Sequence, residues 1–301
     1  MIPFSIPQHR FTSDGLVRLA SLSALCSGIF LLLLIIAFVL RESSVFSGFG
    51  LNMLDFLVRD PWAPLATPPT YGIFHAWLST LIVAGMSLAV AVPLGLGIGL
   101  FIAELAPRPL QQLMQPALEL LAGIPAVVYG FFGYVMLVQN FEAWFAMPAG
   151  ECLLIAGLIL AVMVLPFIAS TAAETFRSVS RELKETAYGL GVTRLYVIRR
   201  IVIRKALPGL FAAVALGLAR ALGETLAVLM LAGNSVASPG SLLDRGQPIT
   251  ALLATELGET ASQSQKYKAL FASGFFLMLV VLAINMTVWF LRKRALEHSH
   301  A

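Results

Sequence analysis

Six long apolar runs constrain the fold of this chain more than any other feature of its sequence. They lie at about residues 16–40, 72–103, 113–138, 152–171, 206–233 and 269–291. A helix of about 20 apolar residues crosses the hydrocarbon core of a bilayer. The composition agrees, because 58% of the 301 residues are hydrophobic and 12% are charged, against about 45–50% and about 25% in soluble domains. The sequence therefore predicts an all-α membrane protein, a polytopic helix bundle with six transmembrane spans.

We expect the first run to be a retained span. At about 25 residues it is longer than the core of a signal peptide, which has about 7 to 15, and the FVLRESS that follows has no small-residue cleavage site. We divide the chain into residues 1–71, with the N-terminal tail, first span and outer loop, residues 72–292 as the transmembrane domain, and residues 293–301 as a cytoplasmic tail.

The distribution of basic residues predicts the orientation. Of the 20 Lys and Arg residues, 14 fall in segments on one side of the predicted spans, five fall on the other side, and Arg220 lies within a span. Cytoplasmic loops carry an excess of Lys and Arg. We therefore expect both termini inside (N-in/C-in). The same asymmetry accounts for most of the net charge of +4, so we expect the lipid bilayer, and no nucleic acid, as the partner of these charges.

One loop between two spans is long and basic. Residues 177–205, called the basic loop here, contain eight Lys or Arg, with Gly189 and Gly191 dividing them into two helical halves. Connections in compact domains have a median of about 4–6 residues, so the extra length implies a task. In the second half Leu195, Ile198 and Val202 share one helical face. This half is predicted to lie flat on the membrane or to dock in the groove of a partner.

Glycine and proline predict breaks within two spans. In the second span we place a break near Pro93, Gly95, Gly97 and Gly99. In the third, Gly123 and Pro125 interrupt the helix, and backbone groups freed in mid-membrane are tolerated only where protein or a cavity satisfies them. Gly123 and Pro125 are therefore candidates to line a translocation path. The alternative is an ordinary proline kink.

The fifth span contains two ionisable residues. Arg220 lies 12 residues beyond Pro208, about 18 Å along a helix and near the bilayer centre. A charge at this depth costs at least about 2.5–3.5 kcal/mol and marks a candidate functional site. Glu224 is predicted one turn further along the same helix, and Glu119 is an acid in the third span. The alternative is that Arg220 and Glu224 only neutralise each other, although the base-first order is the weaker one for such a pair.

A stripe of small residues runs beside this pair, at Gly209, Ala213, Gly217, Ala221 and Thr225. Small residues at every fourth position let another helix approach closely. The stripe predicts a helix-to-helix seam with Arg220 at its edge, where a central path between two subunits would lie.

Familiar enzyme signatures are missing from the sequence. It has no GxxxxGK[ST], HExxH or GxSxG, and its two cysteines, Cys26 and Cys152, form no CxxC pair. We expect no metal site and no cofactor in this chain, and a transport subunit rather than an enzyme. The energy source must then be a separate protein. An intramembrane enzyme with Glu119 or Glu224 as its acid is the rival class, but no nucleophile motif accompanies these residues.

The basic loop resembles the EAA loop of the membrane subunits of bacterial ABC importers. Glu185, Ala187 and Gly191 occupy the Glu, Ala and Gly positions of EAAxxxG, with Thr186 in place of the first Ala. Where the family has a Leu-Pro pair, this chain has Ile203-Arg204. The resemblance implies a type I importer permease that contacts an ATPase through Glu185, Ala187 and Gly191.

Three further blocks resemble phosphate-importer permeases of the PstC type: ELLAGIPAVVYG (119–130), ARALGETLAVLMLAGN (219–234), and GET with YKALFASG (258–274). The resemblance implies a bacterial inner-membrane protein with Arg220 and Glu224 at the family's intramembrane Arg and Glu. It also implies a PstA-type second permease, a PstB-type ATPase dimer that uses ATP and Mg, and a PstS-type binding protein that delivers inorganic phosphate. A permease for molybdate, sulfate or phosphonate, or a sensor or scaffold that no longer transports, are the alternatives.

The chemistry of the fifth span suits an oxyanion. Arg presents a planar fork of donors to such an anion and stays charged when dehydrated. A lone cation would hold the anion too tightly for release. We therefore expect Glu224 to take over Arg220 when the anion leaves.

Overall fold

The computed structural model describes residues 10–43, 54–59, 61–145 and 149–297, and most of these are helical. The helices are α1 (Arg10–Ser43), α2 (Phe74–Leu100), α3 (Arg108–Gly123), α4 (Ala126–Gly133), α5 (Gln139–Phe145), α6 (Leu153–Arg177), α7 (Arg181–Gly189), α8 (Arg194–Tyr196), α9 (Ile203–Gly223), α10 (Leu226–Leu231), α11 (Ile249–Glu256) and α12 (Gln265–Glu297). π-Helical turns extend α2 at Phe101–Leu105, α4 at Tyr134–Val138 and α8 at Val197–Val202, and another lies at Asp55–Arg59. A 3-10 turn, Leu257–Glu259, follows α11, and β1 (Trp62–Ala63) pairs antiparallel with β2 (Thr70–Tyr71).

Five helical segments are long and apolar enough to cross a membrane: Val17–Ser43, Phe74–Leu105, Leu153–Arg177, Arg194–Gly223 and Gln265–Phe290. A sixth candidate is the pair Arg108–Gly123 and Ala126–Trp144, whose halves meet at 87°. The all-α membrane class is confirmed. Six spans are compatible with the structure if the bent pair counts as one, and the orientation stays a prediction.

Helix α6 is the centre of the bundle, because 67% of its apolar window is buried, and α2 and α9 pack along it. The contact with α2 is very close. A Cβ at Gly95 would lie 2.9 Å from Ile168 Cγ2, and one at Gly99 would lie 2.7 Å from Ala172 Cβ. The predicted break near Pro93 is wrong, because α2 continues past these residues to Leu100. Here the glycines make room for α6.

The small-residue stripe of the fifth span also faces α6. A Cβ at Gly209 would lie 2.4 Å from Thr175 Cγ2, and one at Gly217 would lie 2.7 Å from Ile168 Cδ1. Ala213 between them is fully buried. The predicted seam therefore exists, but it joins two helices of this chain rather than two subunits.

The ends of the bundle opposite the basic loop are closed by the β-hairpin and α11. Trp62, Tyr71 and Ile73 form a buried cluster with Ile249 and Leu270. Trp62 Nε1 also donates a hydrogen bond to Glu256 Oε1 over 3.3 Å. The segment between α10 and α12, predicted as a plain outer loop, thus contains a packed helix.

Helix α1 contrasts with α6, since none of its apolar window is buried. Within the described residues it packs mainly on α12, where the rings of Phe38 and Phe271 meet edge to face with centroids 5.7 Å apart. Most of its apolar surface is therefore available to lipid or to another chain.

Candidate translocation site and cytoplasmic loop

The helix break at Gly123 and Pro125 is complete. Helix α3 ends at Gly123, Ile124 and Pro125 are extended (ψ 129° and 140°), and α4 starts at Ala126 at a steep angle to α3. The Tyr129 hydroxyl donates a hydrogen bond to the Leu121 carbonyl over 2.9 Å. A carbonyl freed by the break is thereby satisfied within the protein, as a membrane requires. The proline therefore does more than bend a continuous helix.

A second break lies in the fifth span, where a continuous helix to residue 233 was predicted. This prediction is wrong, because α9 ends at Gly223 and α10 begins at Leu226. Glu224 is extended (ψ 131°), its Oε1 accepts a hydrogen bond from Ala227 N over 3.3 Å, and its carbonyl accepts one from Thr250 Oγ1 over 2.7 Å. The carboxylate, only 9% exposed, therefore serves as a cap for the first turn of α10.

Arg220 lies in the last turn of α9. Its guanidinium stacks over the ring of Phe167 in α6, with Cζ 4.3 Å from the ring centroid. Its Nε is buried and has no hydrogen-bond partner among the described residues. A cation in the last helical turn is stabilised by the partial negative charge of the helix C-terminus. Arg220 is thus balanced by a ring and a helix end.

No ion pair joins Arg220 to Glu224 in the part of the chain that the structure describes. The expected i, i+4 pair presupposed a continuous helix, and the break at Glu224 removes that geometry. Mutual neutralisation therefore does not explain these two charges.

The two breaks lie next to each other because α4 and α10 are in close contact. A Cβ at Gly130 would lie 3.0 Å from Ala227 Cα. A Cβ at Gly133 would lie 2.7 Å from Ile159 Cγ1 and 3.1 Å from Leu231 Cδ1. Two interrupted helices that meet within a membrane, with an ionisable residue between them, are a recurrent form of transporter binding site.

Two site residues were not singled out in the sequence. Tyr129 lies within electrostatic reach of Arg220, and Phe167 lies under it. Tyr129 stands inside one of the blocks that carry the family resemblance, so that block held the signal. Phe167 follows Pro166 in an apolar run and has no such signal. Glu119 is exposed on α3, and no contact places it beside Arg220 in the described structure.

In the basic loop, α7 and α8 are joined by a tight turn. The Ser180 Oγ accepts a hydrogen bond from Leu183 N at the start of α7, and the Thr193 Oγ1 accepts one from Tyr196 N at the start of α8. Between the two helices, Gly191 has φ +81°, a left-handed conformation that residues with a Cβ resist. The turn thus depends on glycine at this position.

The second half of the basic loop does not lie flat on the membrane, as one interpretation held. It continues without a break into α9, so that one helix runs over Arg194–Gly223. Ile198 and Val202 are buried, whereas Leu195, predicted on the same face, is 64% exposed. The π-helical turn at Val197–Val202 shifts the register between these residues.

Ala187 and Glu185 have opposite environments. Ala187 is buried in a cluster with Phe176, Val197 and Val202, so it holds α7 against the neighbouring helices. Glu185 is exposed and pairs with Arg181 over 2.7 Å. Surface ion pairs of this kind contribute at most about 1 kcal/mol.

A second ion pair attaches α7 to the end of α2, and the sequence did not predict it. Lys184 Nζ lies 2.5 Å from Glu104 Oε1, and the two side chains are 15% and 9% exposed. Arg194 also donates a hydrogen bond to the Glu104 carbonyl. Both halves of the basic loop are therefore tied to the π-helical end of the second span.

Between these ties the basic loop exposes apolar side chains, here called the loop patch: Leu183, Tyr188, Leu190, Leu195 and Tyr196. Leu190 is 80% exposed at the turn itself. Apolar residues grouped at an exposed turn indicate a surface for another protein.

Comparison with known proteins identifies the family. Residues 95–295 match the family described as binding-protein-dependent transport system inner membrane component. The probable ABC transporter permease protein YqgH of Bacillus subtilis is 35% identical over 245 residues, which cover 81% of this chain and 79% of that protein. The phosphate transport system permease protein PstC of Haemophilus influenzae is 35% identical over 283 residues, which cover 88% of each chain.

The fold is shared with solved transporters. A crystal structure of a bacterial ABC transporter involved in the import of the acidic polysaccharide alginate matches with a TM-score of 0.64 at 17% identity, over 95% of this chain and 99% of that one. The inward-facing MetNI methionine ABC transporter matches with a TM-score of 0.53 at 16% identity, over 74% of this chain and 94% of that one. The family resemblance of the basic loop is thereby confirmed, and the protein is a multi-pass inner-membrane protein. The chain belongs to the family of binding-protein-dependent transport system inner membrane components, the membrane subunits of ABC importers.

Proposed function

We propose that this chain is the permease subunit of an ATP-driven phosphate importer, and that Arg220 binds the passing anion. The observation that carries the proposal is an unpaired arginine at the junction of two interrupted helices. Its Nε lacks a hydrogen-bond partner among the described residues, and its charge is balanced by Phe167 rather than by an acid. A guanidinium with free donors in a partly dehydrated site suits a tetrahedral oxyanion.

Phosphate is favoured over other oxyanions by the relatives. PstC proteins of Haemophilus influenzae, Pasteurella multocida and Xylella fastidiosa are 35–37% identical and are named phosphate transport system permease proteins. A site built on one arginine would also accept sulfate, molybdate or phosphonate, so these remain alternatives. The relatives' names and the unpaired arginine favour transport over the role of a sensor or scaffold.

The position of Glu224 changes its proposed part in transport. Because the carboxylate caps α10 through Ala227 N, we assign it to holding the second break open beside Arg220. Glu119, exposed on α3 before the first break, is proposed as an outlying residue of the same path. Gly123 and Pro125 are proposed to shape it.

The partners follow from the same proposal. The loop patch, with Glu185, Ala187 and Gly191 at its turn, is the proposed contact with a PstB-type ATPase dimer, which would supply ATP hydrolysis and bind Mg. Helices with exposed apolar surface, α1 above all, would face lipid or a PstA-type second permease. A PstS-type protein would deliver phosphate to the opposite side of the membrane.

Reconstitution tests this function. The chain would be co-expressed with the second permease, ATPase and binding protein of the same genome, and the complex placed in proteoliposomes. We expect ATP-dependent accumulation of radiolabelled phosphate, with weak competition by sulfate and molybdate. Equal or stronger accumulation of another oxyanion would replace phosphate as the substrate. ATP-driven accumulation of none of them would contradict the transport function.

A further inference from the structure

The partner of Arg220 in the described structure is an aromatic ring. Phe167 lies on α6, is partly buried, and its ring centroid is 4.3 Å from Arg220 Cζ. Among the described residues, Arg220 forms no ion pair. An arginine within a membrane normally faces an acid, water or backbone carbonyls, so a ring in this place requires an explanation.

The ring and an anion use different parts of the guanidinium. The five N–H donors of arginine lie in the plane of the group and point outward from its edge. An aromatic ring attracts the cation through its face. A carboxylate partner would occupy the same donors that an oxyanion needs, whereas the Phe167 ring leaves them free.

The backbone that carries Phe167 is held firmly. The next residue, Ile168, is fully buried and is enclosed by glycines of both neighbouring helices. A Cβ at Gly217 of α9 would lie 2.7 Å from Ile168 Cδ1, and one at Gly95 of α2 would lie 2.9 Å from Ile168 Cγ2. The ring therefore projects from the most tightly packed level of the described bundle.

We propose that Phe167 is a positioning residue for anion transport. Its ring holds the Arg220 guanidinium by the face and keeps the donor edge directed toward the passing anion. This inference rests on the proposed function, in which Arg220 binds the anion. It adds that orientation of the cation is supplied by an aromatic platform on α6, and that the arginine is kept ready without a competing acid.

The test separates the aromatic face from the volume of the side chain. Phe167 is replaced by Leu, Tyr and Trp, and by 3,4,5-trifluorophenylalanine, which keeps the ring but weakens the negative potential of its face. ATP-driven phosphate uptake is measured in proteoliposomes with saturating loaded binding protein. Assembly and basal ATPase activity are measured on the same samples, so that a folding defect is recognised.

We expect uptake to fall about three- to tenfold in Phe167→Leu, as loss of a partly desolvated cation–π contact implies, and to fall by a smaller factor with the trifluoro ring. Phe167→Tyr and Phe167→Trp should retain uptake, because both keep a ring face. Unchanged uptake in Phe167→Leu would overturn the proposal. So would a loss in Phe167→Leu with no loss for the trifluoro ring, because the ring would then act by volume alone. Failure of the unsubstituted complex to accumulate phosphate would instead contradict the proposed function.

Discussion

At the scale of single residues, Arg220 is the charge on which the proposed transport depends. Arg220→Ala removes the donor fork and should lower phosphate uptake by at least about tenfold, since a hydrogen bond to a charged group contributes about 1.5–3 kcal/mol. Arg220→Lys keeps the charge but not the planar fork, and should give intermediate uptake. Uptake in proteoliposomes is compared with assembly by size-exclusion chromatography. Equal uptake in Arg220→Ala and the unsubstituted protein would remove Arg220 from the path.

Glu224 offers a test of capping against charge pairing. In Glu224→Gln the amide oxygen can still accept the hydrogen bond from Ala227 N, so we expect most uptake and stability to remain. Glu224→Ala loses the cap, which should cost about 0.5–2 kcal/mol of stability and reduce uptake further. Thermal unfolding of the purified complex and phosphate uptake are measured side by side. If Glu224→Gln is as inactive as Glu224→Ala at unchanged stability, the negative charge matters and the capping role is insufficient.

At the scale of elements, the turn between α7 and α8 provides a matched pair of glycines. A Cβ added at Gly189 or at Gly191 would meet no atom of the described residues within 4 Å, but only Gly191 of the two has a positive φ. Gly191→Val should therefore distort the turn at a cost of at least about 1–2 kcal/mol and reduce the phosphate moved per ATP hydrolysed. Gly189→Val should leave this ratio nearly unchanged. The proposed ATPase contact would be contradicted by equal ratios in the two variants.

The ion pair between α7 and the end of α2 predicts a second effect on the basic loop. Lys184→Met or Glu104→Gln leaves one largely buried group unpaired, and breaking a buried pair in this way costs about 3–5 kcal/mol. The double variant Lys184→Met/Glu104→Leu should be more stable than either single variant, because no charge remains buried. Arg181→Ala, which breaks the exposed pair with Glu185, is the control and should change stability by less than about 1 kcal/mol. Thermal unfolding checks the series, and additive effects of the two single changes would argue against a coupled pair.

The elements also show what the sequence predicts and what it leaves open. Apolar length predicts the spans well, because the bilayer fixes how many residues a helix needs. Glycine and proline are ambiguous, since the same residues serve a break near Gly123 and close packing at Gly95 and Gly99. The break at Glu224 depends on Thr250, which lies 26 residues away, and the Lys184–Glu104 pair joins residues 80 apart. Such contacts between distant parts of the chain cannot be inferred from local pattern.

At the scale of the whole molecule, chemistry and coupling lie at different depths of one packed unit. The site around Arg220 is formed by α4, α6, α9 and α10, whereas the basic loop is attached at the opposite end of α9 and at the end of α2. Because α9 continues from Arg194 to Gly223, the loop and the arginine share one helix. A displacement of the loop by an ATPase would therefore reach the second break directly through α9.

The orientation of the molecule is the last prediction, and the excess of basic residues on one side is its basis. Two exposed positions on opposite sides of the predicted topology are used, Glu182 in α7 and Ser262 before α12. Each is changed singly to cysteine, and intact cells are treated with a membrane-impermeant maleimide. We expect Ser262→Cys to be labelled and Glu182→Cys to be labelled only after the cells are opened. The unsubstituted protein, in which Cys152 is buried and Cys26 lies within the first span, gives the background. Labelling of Glu182→Cys in intact cells would reverse the orientation and place the loop patch on the side away from any cytoplasmic ATPase.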